Sequence, residues 1–207
     1  MNLFPIYLKL ANRHCLVVGA GRIGEEKIEG LLGAGAEIKV VAPRATSRVQ
    51  LLAREGKIRW EQRKFRPSDL RGAFLIVAAT SSPKLHEQIY KQAQRRGIIC
   101  NVVDDPPHCD FYYASVVRRG SLQLAISTSG LSPALAQRLR HKLQEQFGPE
   151  YGLWLEELGA ARKRLFARKM DPQRRKSLLH SLASQKSFEK FLKRQTQGKA
   201  KRILGTK

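Results

Sequence analysis

The architecture of this chain follows from residues 14–24, HCLVVGAGRIG. Four residues of a strand-like apolar run lead directly into a G-x-G-x-x-G pattern, whose glycines are Gly19, Gly21 and Gly24. Glycines at this spacing allow a tight turn after a strand, close approach of the backbone to a pyrophosphate, and close packing of the next helix. We therefore predict a dinucleotide site here. The alternative is a strand-to-helix turn that binds nothing.

The residues around this stretch predict alternating strands and helices as far as residue 105. Such alternation is typical of an α/β fold, a Rossmann-type doubly wound parallel sheet with right-handed crossovers. The predicted strands are 15–18, 38–42, 58–61, 74–79 and 98–103, and the predicted helices are 25–32, 47–55 and 83–96. Ligands of these sheets lie outside the carboxyl ends of the strands. The residues expected there are the glycine turn, Pro43, Arg44, Thr80 and Asp104.

The pattern changes after Pro107. Two strand-like runs, 112–117 and 122–126, predict a hairpin, and a helix capped by Ser132 follows over residues 134–147. A hairpin and helix of this size bury little surface alone, so we expect a small α+β dimerisation domain that pairs with a second copy of the chain. The residues beyond it predict a basic helical C-terminal domain with a second helix at 172–184, and disorder from about Gln195. The expected domains are 1–111, 112–147 and 148–207.

Composition limits the partners. The 207 residues carry a formal net charge of +22, and residues 148–207 hold 16 of the 39 Lys and Arg residues. Such a chain attracts polyanions: nucleic acid, anionic lipid or a small molecule with many carboxylates. No basic leader or membrane-length apolar run is present, so we expect a soluble cytoplasmic protein. The three cysteines have no metal-ligand spacing and fit structural thiols in a reducing compartment: Cys15, Cys100 and Cys109.

Asp104 is the candidate catalytic residue, because it follows the last predicted strand of the sheet. A carboxylate there can accept a proton or hold a metal ion. The alternative is that Asp104 or Asp105 only caps the turn at the two prolines that follow. His108 lies beside a cysteine and an aspartate, but three adjacent residues rarely form a metal site, and we predict none.

The serine-rich stretch 127–132 has two interpretations that stay open. Its hydroxyl groups are typical of helix capping, and its backbone amides would also suit an anionic ligand.

Several motifs together resemble the precorrin-2 dehydrogenase family, which includes the N-terminal region of siroheme synthase. They are GAGRIG at 19–24, NVVDDP at 101–106, CDF at 109–111, RRG at 118–120 and AISTSGLSPA at 125–134. The resemblance implies oxidation of precorrin-2 to sirohydrochlorin with NAD as hydride acceptor. In some members it also implies insertion of ferrous iron to give siroheme. It further implies an intertwined homodimer with Rossmann, dimerisation and helical domains.

The same resemblance assigns roles by position. Asp104 matches the essential aspartate, to which general base work and, in bifunctional members, chelation are assigned. Thr128 falls where some members carry a serine that can be phosphorylated. The expected cofactor-binding residues are Gly19, Gly21, Arg22, Ile23, Gly24, Pro43, Arg44 and Thr80. The expected substrate-binding residues are Asn101, Ser127, Thr128, Ser129 and Gly130.

Cofactor choice has conflicting signals. NAD-specific sites usually offer an acidic residue at the end of the second strand, and here that end is VVAPR, residues 40–44. Arg44 could instead contact a 2′-phosphate. The family resemblance favours NAD.

A second function remains open: a dinucleotide-sensing binding module whose basic tail binds nucleic acid. Against it, the tail lacks the interleaved aromatic residues of a single-strand platform. From Arg162 onward it holds only Phe166, Phe188 and Phe191.

Overall fold

A computed structural model of the chain describes the backbone of residues 3–204 and the side chains of residues 3–197. The chain forms two compact units, one ending at Tyr113 and one beginning at Ala114.

The first unit is a five-stranded parallel sheet with helices on both faces, as the sequence predicts. The strand order is β3-β2-β1-β4-β5, so β1 lies at the centre and β3 at one edge. Its strands are β1 (His14–Ala20), β2 (Glu37–Ala45), β3 (Arg59–Glu61), β4 (Leu75–Ala78) and β5 (Ile99–Val102). Its helices are α1 (Arg22–Leu32), α2 (Ser47–Arg54) and α3 (Pro83–Gln94), with short 3-10 turns at Pro67–Leu70 and Pro106–His108.

Two apolar clusters flank the sheet because side chains alternate between its faces. Val17 and Val77 belong to the cluster that includes residues of α1 and α2, whereas Leu16 and Ile76 belong to the cluster that includes residues of α3. All four are buried. Burial on both faces explains why the central strands are continuous apolar runs rather than alternating ones.

The end of β2 corrects one prediction. Pro43 and Arg44 were expected in a loop after a strand ending at Ala42, but the strand continues to Ala45. A proline is tolerated there because β3 pairs with β2 only as far as Val41, and the register with β1 breaks beyond the same residue. Pro43 and Arg44 therefore belong to the carboxyl end of β2, on the side of the sheet where the crevice is expected.

The second unit contains an antiparallel hairpin and four helices. The elements are β6 (Ser115–Arg119), β7 (Leu122–Ile126), α4 (Pro133–Gln146), α5 (Glu150–Ala167), α6 (Pro172–Leu182) and α7 (Gln185–Leu204). The hairpin is confirmed, but its first strand begins at Ser115 rather than residue 112. Tyr112 and Tyr113 belong to the first unit, where the ammonium group of Lys27 lies 4.0 Å from the ring centroid of Tyr113.

Arg119 joins the hairpin to the helices of its own unit. Its guanidinium group donates to the carbonyl oxygen atoms of Phe147, at 2.7 Å, and Gln144, at 2.9 Å. Gly152 on α5 packs so closely on the hairpin that a Cβ atom there would lie 2.8 Å from the carbonyl oxygen of Arg119. A separate domain beginning at residue 148 thus stays a prediction.

The prediction of disorder from Gln195 is wrong as far as Leu204, because α7 continues to that residue. Its first half is fixed by aromatic packing: Phe188 is 6% exposed and Phe191 is 1% exposed. The ring of Phe188 lies 4.3 Å from that of Tyr151 and 4.9 Å from that of Trp154, both on α5. Residues 205–207, to which the same prediction applied, lie outside the described residues.

Candidate active site

The glycine turn has the geometry that its sequence pattern requires. Gly19 has φ +101°, and a Cβ atom there would lie 2.7 Å from the carbonyl carbon of Ala79. A Cβ atom at Gly24 would lie 3.0 Å from the carbonyl carbon of Gly19. These two glycines therefore let the turn pack against the end of β4 and let α1 approach the turn.

Gly21 differs, since a Cβ atom there would meet nothing within 4 Å. It is exposed and immediately precedes α1, which has no side-chain cap. The first amides of a helix have no partner within the helix and carry its positive end. Open space in front of free amides is the feature that a pyrophosphate needs, so the turn fits a dinucleotide.

The other predicted cofactor residues border this turn or end the neighbouring strands. Arg22 and Ile23 begin α1 and are exposed, and Pro43 and Arg44 are exposed at the end of β2. The side chains of Arg22 and Arg44 make no hydrogen bond or ion pair within the described residues. By contrast, Arg48 is paired with Glu29 at 2.8 Å. Two cationic side chains thus remain available to an anionic ligand.

Thr80 follows β4 and is half-buried. Its hydroxyl oxygen accepts a hydrogen bond from the amide of Ser82, at 3.3 Å, and its carbonyl oxygen accepts one from Nε2 of His86, at 2.8 Å. Ser82 caps α3, because its Oγ atom accepts a hydrogen bond from the amide of Leu85.

Asp104 lies in the turn after β5 and is exposed. Its φ of +60° is in the left-handed region, which is uncommon for a residue with a side chain. Its carboxylate has no hydrogen-bond or ion-pair partner among the side chains of residues 3–197. Asp105 has the turn-stabilising contacts: its amide donates to the carbonyl of Val102, and its carboxylate lies 2.8 Å from Nδ1 of His108. The carboxylate of Asp105 is therefore engaged by His108 and makes no cap hydrogen bond to the turn that follows, whereas Asp104 has no partner among the side chains of residues 3–197.

Asn101 lies beneath this turn. It is 7% exposed, and its amide nitrogen donates to the carbonyl of Phe111, at 2.8 Å, and to the sulfur of Cys109, at 3.3 Å. Those contacts hold the segment after β5 against the sheet. Contact between this side chain and a substrate stays a prediction.

The cysteines behave as buried thiols. Burial raises the pKa of Cys15 to about 11 and that of Cys100 to about 12, and also raises the pKa of Cys109. Cys109 donates through sulfur to the carbonyl of Val102, at 3.1 Å. Raised values keep the thiols protonated near neutral pH, so they pack rather than react. Within residues 3–197, no three His, Cys, Asp or Glu side chains are arranged to hold a metal ion.

The predicted substrate loop lies in the second unit. The Thr128 hydroxyl donates to the carbonyl of Ser132, at 3.1 Å, and accepts from the Ser132 amide, at 3.2 Å. Ser132 caps α4 by accepting from the amide of Leu135. Ser129 and Gly130 have positive φ angles, and the Ser129 amide donates to Oγ of Ser127. Capping by Ser132 is confirmed, while ligand contact by residues 127–130 stays a prediction.

His86 was missed from the sequence. It lies on the buried face of α3, three and seven residues before the buried Ile89 and Ala93. The sequence did carry a signal: His86 occupies a position of this amphipathic helix where an apolar residue is expected. A buried polar side chain of this kind needs a hydrogen-bond partner.

The chain is similar to proteins of siroheme biosynthesis. It is 36% identical to a siroheme synthase of Actinobacillus pleuropneumoniae serotype 3 over 92% of this chain and 39% of that protein. It is 42% identical to one of Neisseria meningitidis serogroup C over 73% of this chain and 32% of that protein. The chain thus spans only about a third to two fifths of the length of these curated relatives.

A solved structure, described as SirC, precorrin-2 dehydrogenase, matches with a TM-score of 0.77 and 27% identity over 93% of this chain and 98% of that one. A family model described as sirohaem biosynthesis protein central matches residues 119–146. A second, described as putative NAD(P)-binding, matches residues 6–115, more than half of the chain and all of the sheet. Together with the turn that leaves Gly21 open in front of α1, this match shows that the chain belongs to the putative NAD(P)-binding family.

Proposed function

We propose that the protein is a precorrin-2 dehydrogenase of siroheme biosynthesis, which oxidises precorrin-2 to sirohydrochlorin with NAD as hydride acceptor. The observation that carries the proposal is the carboxylate of Asp104, which has no partner among the side chains of residues 3–197 and lies on a turn at the carboxyl edge of a sheet whose glycine turn fits a dinucleotide. The likeness to a solved precorrin-2 dehydrogenase over nearly its whole length supports it.

The chain's own residues would hold the cofactor in the following way. The open turn at Gly21 and the free amides of α1 receive the pyrophosphate, with Arg22 and Ile23 beside it. Pro43 and Arg44 at the end of β2 flank the adenosine half, and Thr80 follows the neighbouring strand β4. NAD, when bound, supplies the hydride acceptor.

Asp104 acts as the general base. Oxidation of the reduced macrocycle removes a hydride from carbon and a proton, and a carboxylate free of other partners can accept that proton. The turn presents this carboxylate to solvent, where a large substrate can reach it.

The charge of the chain fits the substrate class. Precorrin-2 is a tetrapyrrole with many carboxylates, and a net charge of +22 draws such a ligand toward the protein. The amides and hydroxyl groups of residues 127–130 are proposed to contact its carboxylates.

The decisive experiment is Asp104→Asn, with Glu26→Gln, another exposed carboxylate in the first unit, as control. We expect turnover of precorrin-2 to fall by about 100-fold or more while NAD affinity stays unchanged, because general base catalysis contributes roughly 10²–10⁴-fold. The control should keep wild-type turnover. Wild-type turnover in Asp104→Asn would overturn the assigned role.

Iron insertion is the second activity that the resemblance implies for some relatives. Supplying precorrin-2 with NAD and then ferrous iron, and following absorption spectra, separates the two steps. If sirohydrochlorin accumulates and iron changes nothing, the protein is a dehydrogenase only.

We also propose a homodimer formed through the second unit. Leu131, Leu135 and Leu139 are spaced four residues apart and are 90%, 45% and 36% exposed. Leu135 and Leu139 lie one turn apart on α4, Leu131 lies in the loop two residues before it, and an exposed apolar patch of this kind is typical of an interface. Light scattering on Leu135→Lys should report a monomer, and an unchanged dimer would exclude this surface.

We place the protein in the cytoplasm. Within the described residues, no helix is long and apolar enough to cross a membrane.

The nucleic-acid alternative is not favoured. Phe188 and Phe191, two of the three aromatic residues after Arg162, are buried, with Phe188 beside Trp154 of α5, and cannot stack on bases. The third, Phe166, is covered by the guanidinium groups of Arg162 and Arg175 at 4.8 and 4.7 Å from its centroid. Tight, salt-dependent DNA binding by a chain without dehydrogenase activity would restore this alternative.

A further inference from the structure

Asp105 lies between two imidazole rings that come from different parts of the first unit. Its Oδ2 atom is 2.8 Å from Nδ1 of His108, three residues further along the same loop. The same oxygen is 3.7 Å from Nδ1 of His86, which belongs to α3. The first distance is a hydrogen bond, and the second is a contact beyond hydrogen-bond distance.

His86 connects this carboxylate to the neighbouring loop. The residue is 8% exposed, and its other ring nitrogen, Nε2, lies 2.8 Å from the carbonyl oxygen of Thr80. A carbonyl oxygen can only accept, so Nε2 carries a proton and donates it, and Nδ1 is left facing Asp105. The ring of His86 is therefore hydrogen-bonded to the loop after β4 and lies beside the Asp105 carboxylate of the loop after β5.

The loop after β5 needs such an anchor. Asp104 adopts a left-handed conformation that persists only when the residues on both sides are fixed. On one side, the amide of Val103 donates to the carbonyl of Ala78 on β4, at 2.9 Å. On the other side, the hydrogen bonds of Asp105 are to residues within 98–113, and His86 is its contact from another segment of the described chain.

We propose that His86 is a positioning residue: its ring, fixed by the hydrogen bond to the Thr80 carbonyl, packs beside the Asp105 carboxylate and so sets the Asp104 carboxylate relative to the dinucleotide side of the crevice. The proposal rests on the proposed function for its kinetic consequence. His86 touches no reacting atom; it acts through Asp105 and the backbone of Asp104.

Three substitutions separate the two contacts of the ring. His86→Gln retains a donor near the position of Nε2, His86→Asn retains a polar group near Nδ1, and His86→Leu removes both. We expect kcat for precorrin-2 oxidation to fall about 10- to 100-fold in His86→Leu, since small displacements of a catalytic group cost that much. The Gln and Asn variants should fall between it and the wild type, and the KM for NAD should stay within about twofold. The exposed His180→Gln serves as control and should match the wild type.

A double-mutant cycle distinguishes positioning from general loosening of the fold. If His86 acts through Asp104, adding His86→Leu to Asp104→Asn causes no further loss of turnover. A multiplicative loss, or a raised KM for NAD with unchanged kcat, would overturn the proposal.

A measurement without substrate keeps the proposal testable if the reaction is different. Hydrogen exchange of the Val103 and Asp105 amides should become faster in His86→Leu, while that of α1 amides stays unchanged. If the wild-type chain oxidises no precorrin-2, the proposed function fails but exchange still decides whether His86 anchors the loop. Wild-type exchange at both amides in His86→Leu would refute the anchor.

Discussion

A Cβ atom on Gly19 would lie 2.7 Å from the carbonyl carbon of Ala79, because the turn after β1 crosses the end of β4. Gly19→Ala would also force an alanine into φ +101°. We therefore expect it to lower the free energy of unfolding by about 2 kcal/mol or more, as strain and overlap combine. Urea unfolding measures this loss, and wild-type stability would show that the turn is looser than described.

Gly21→Ala should weaken cofactor binding and leave the stability of the fold almost unchanged. A Cβ atom there meets no other residue and φ is −75°, so stability should change by less than about 1 kcal/mol. The methyl group would stand where the pyrophosphate approaches, and NAD affinity should fall about tenfold or more. Calorimetric titration measures this. Gly30→Ala, also in open space but mid-helix on α1, is the matched control and should bind NAD normally.

Asp69 makes stability depend on pH. Its side chain is 2% exposed and lies 2.7 Å from Nη2 of Arg63 and 2.8 Å from Nζ of Lys39. Hydrogen bonds from Arg63, above all, hold the pKa of this carboxyl well below its usual range. Because the folded pKa lies below the unfolded value of about 3.9, the stabilisation is present above that value and is lost as the pH falls.

Asp69→Asn should therefore destabilise the chain by about 3 kcal/mol at pH 7. The gap to the wild type should narrow as the pH falls from about 5 to about 3, since only the wild type then loses the ionic contribution. Urea midpoints at several pH values test this, and a gap that stays constant would refute it. Glu26→Gln, which removes an exposed carboxylate, should show no such dependence.

Arg44 governs cofactor choice in our interpretation. No acidic residue at the end of β2 repels a 2′-phosphate, and the Arg44 side chain is exposed and has no partner within the described residues. Arg44→Asp should raise the ratio of kcat/KM for NAD over NADP by about tenfold or more, because it adds the missing repulsion. Arg48→Ala, which removes a cation already paired with Glu29, should change the ratio little. An unaltered ratio in Arg44→Asp would show that the 2′ position lies elsewhere.

Phe191 should be essential to the second unit. It is 1% exposed, and Phe191→Ala should cost about 3–5 kcal/mol, as deletion of a buried aromatic ring does. Phe166→Ala, at a ring that is 53% exposed, should cost much less. Thermal unfolding followed by tryptophan fluorescence compares them, and equal shifts would contradict the described packing.

Most of the first unit could be predicted because its strands, turns and helix caps depend on interactions between residues that are close in sequence. The glycines, the Ser82 cap and the apolar runs of β4 and β5 act within a few residues, so the sequence predicts their structure directly. The strand through Pro43 was missed because its tolerance depends on where β3 stops pairing. Helix α7 was missed because its few apolar residues become buried only against Tyr151 and Trp154, more than 30 positions earlier.

The same reasoning explains what was found and missed in the candidate site. The position of Asp104 at the end of a buried strand could be predicted, and its catalytic role stays a prediction. The engagement of Asp105 rather than Asp104 could not, because it depends on the backbone of the turn, which brings the Asp105 carboxylate to 2.8 Å from Nδ1 of His108.

At Asp104 the positive φ angle lowers the stability of the fold, whereas the proposed reaction needs the side chain. Glycine adopts this conformation without strain, so Asp104→Gly would relieve a backbone cost of about 1 kcal/mol while deleting the carboxylate. Selection for thermal stability alone would therefore favour glycine at position 104. A screen for stabilising substitutions would therefore favour the replacement that deletes the carboxylate on which the proposed general-base role depends.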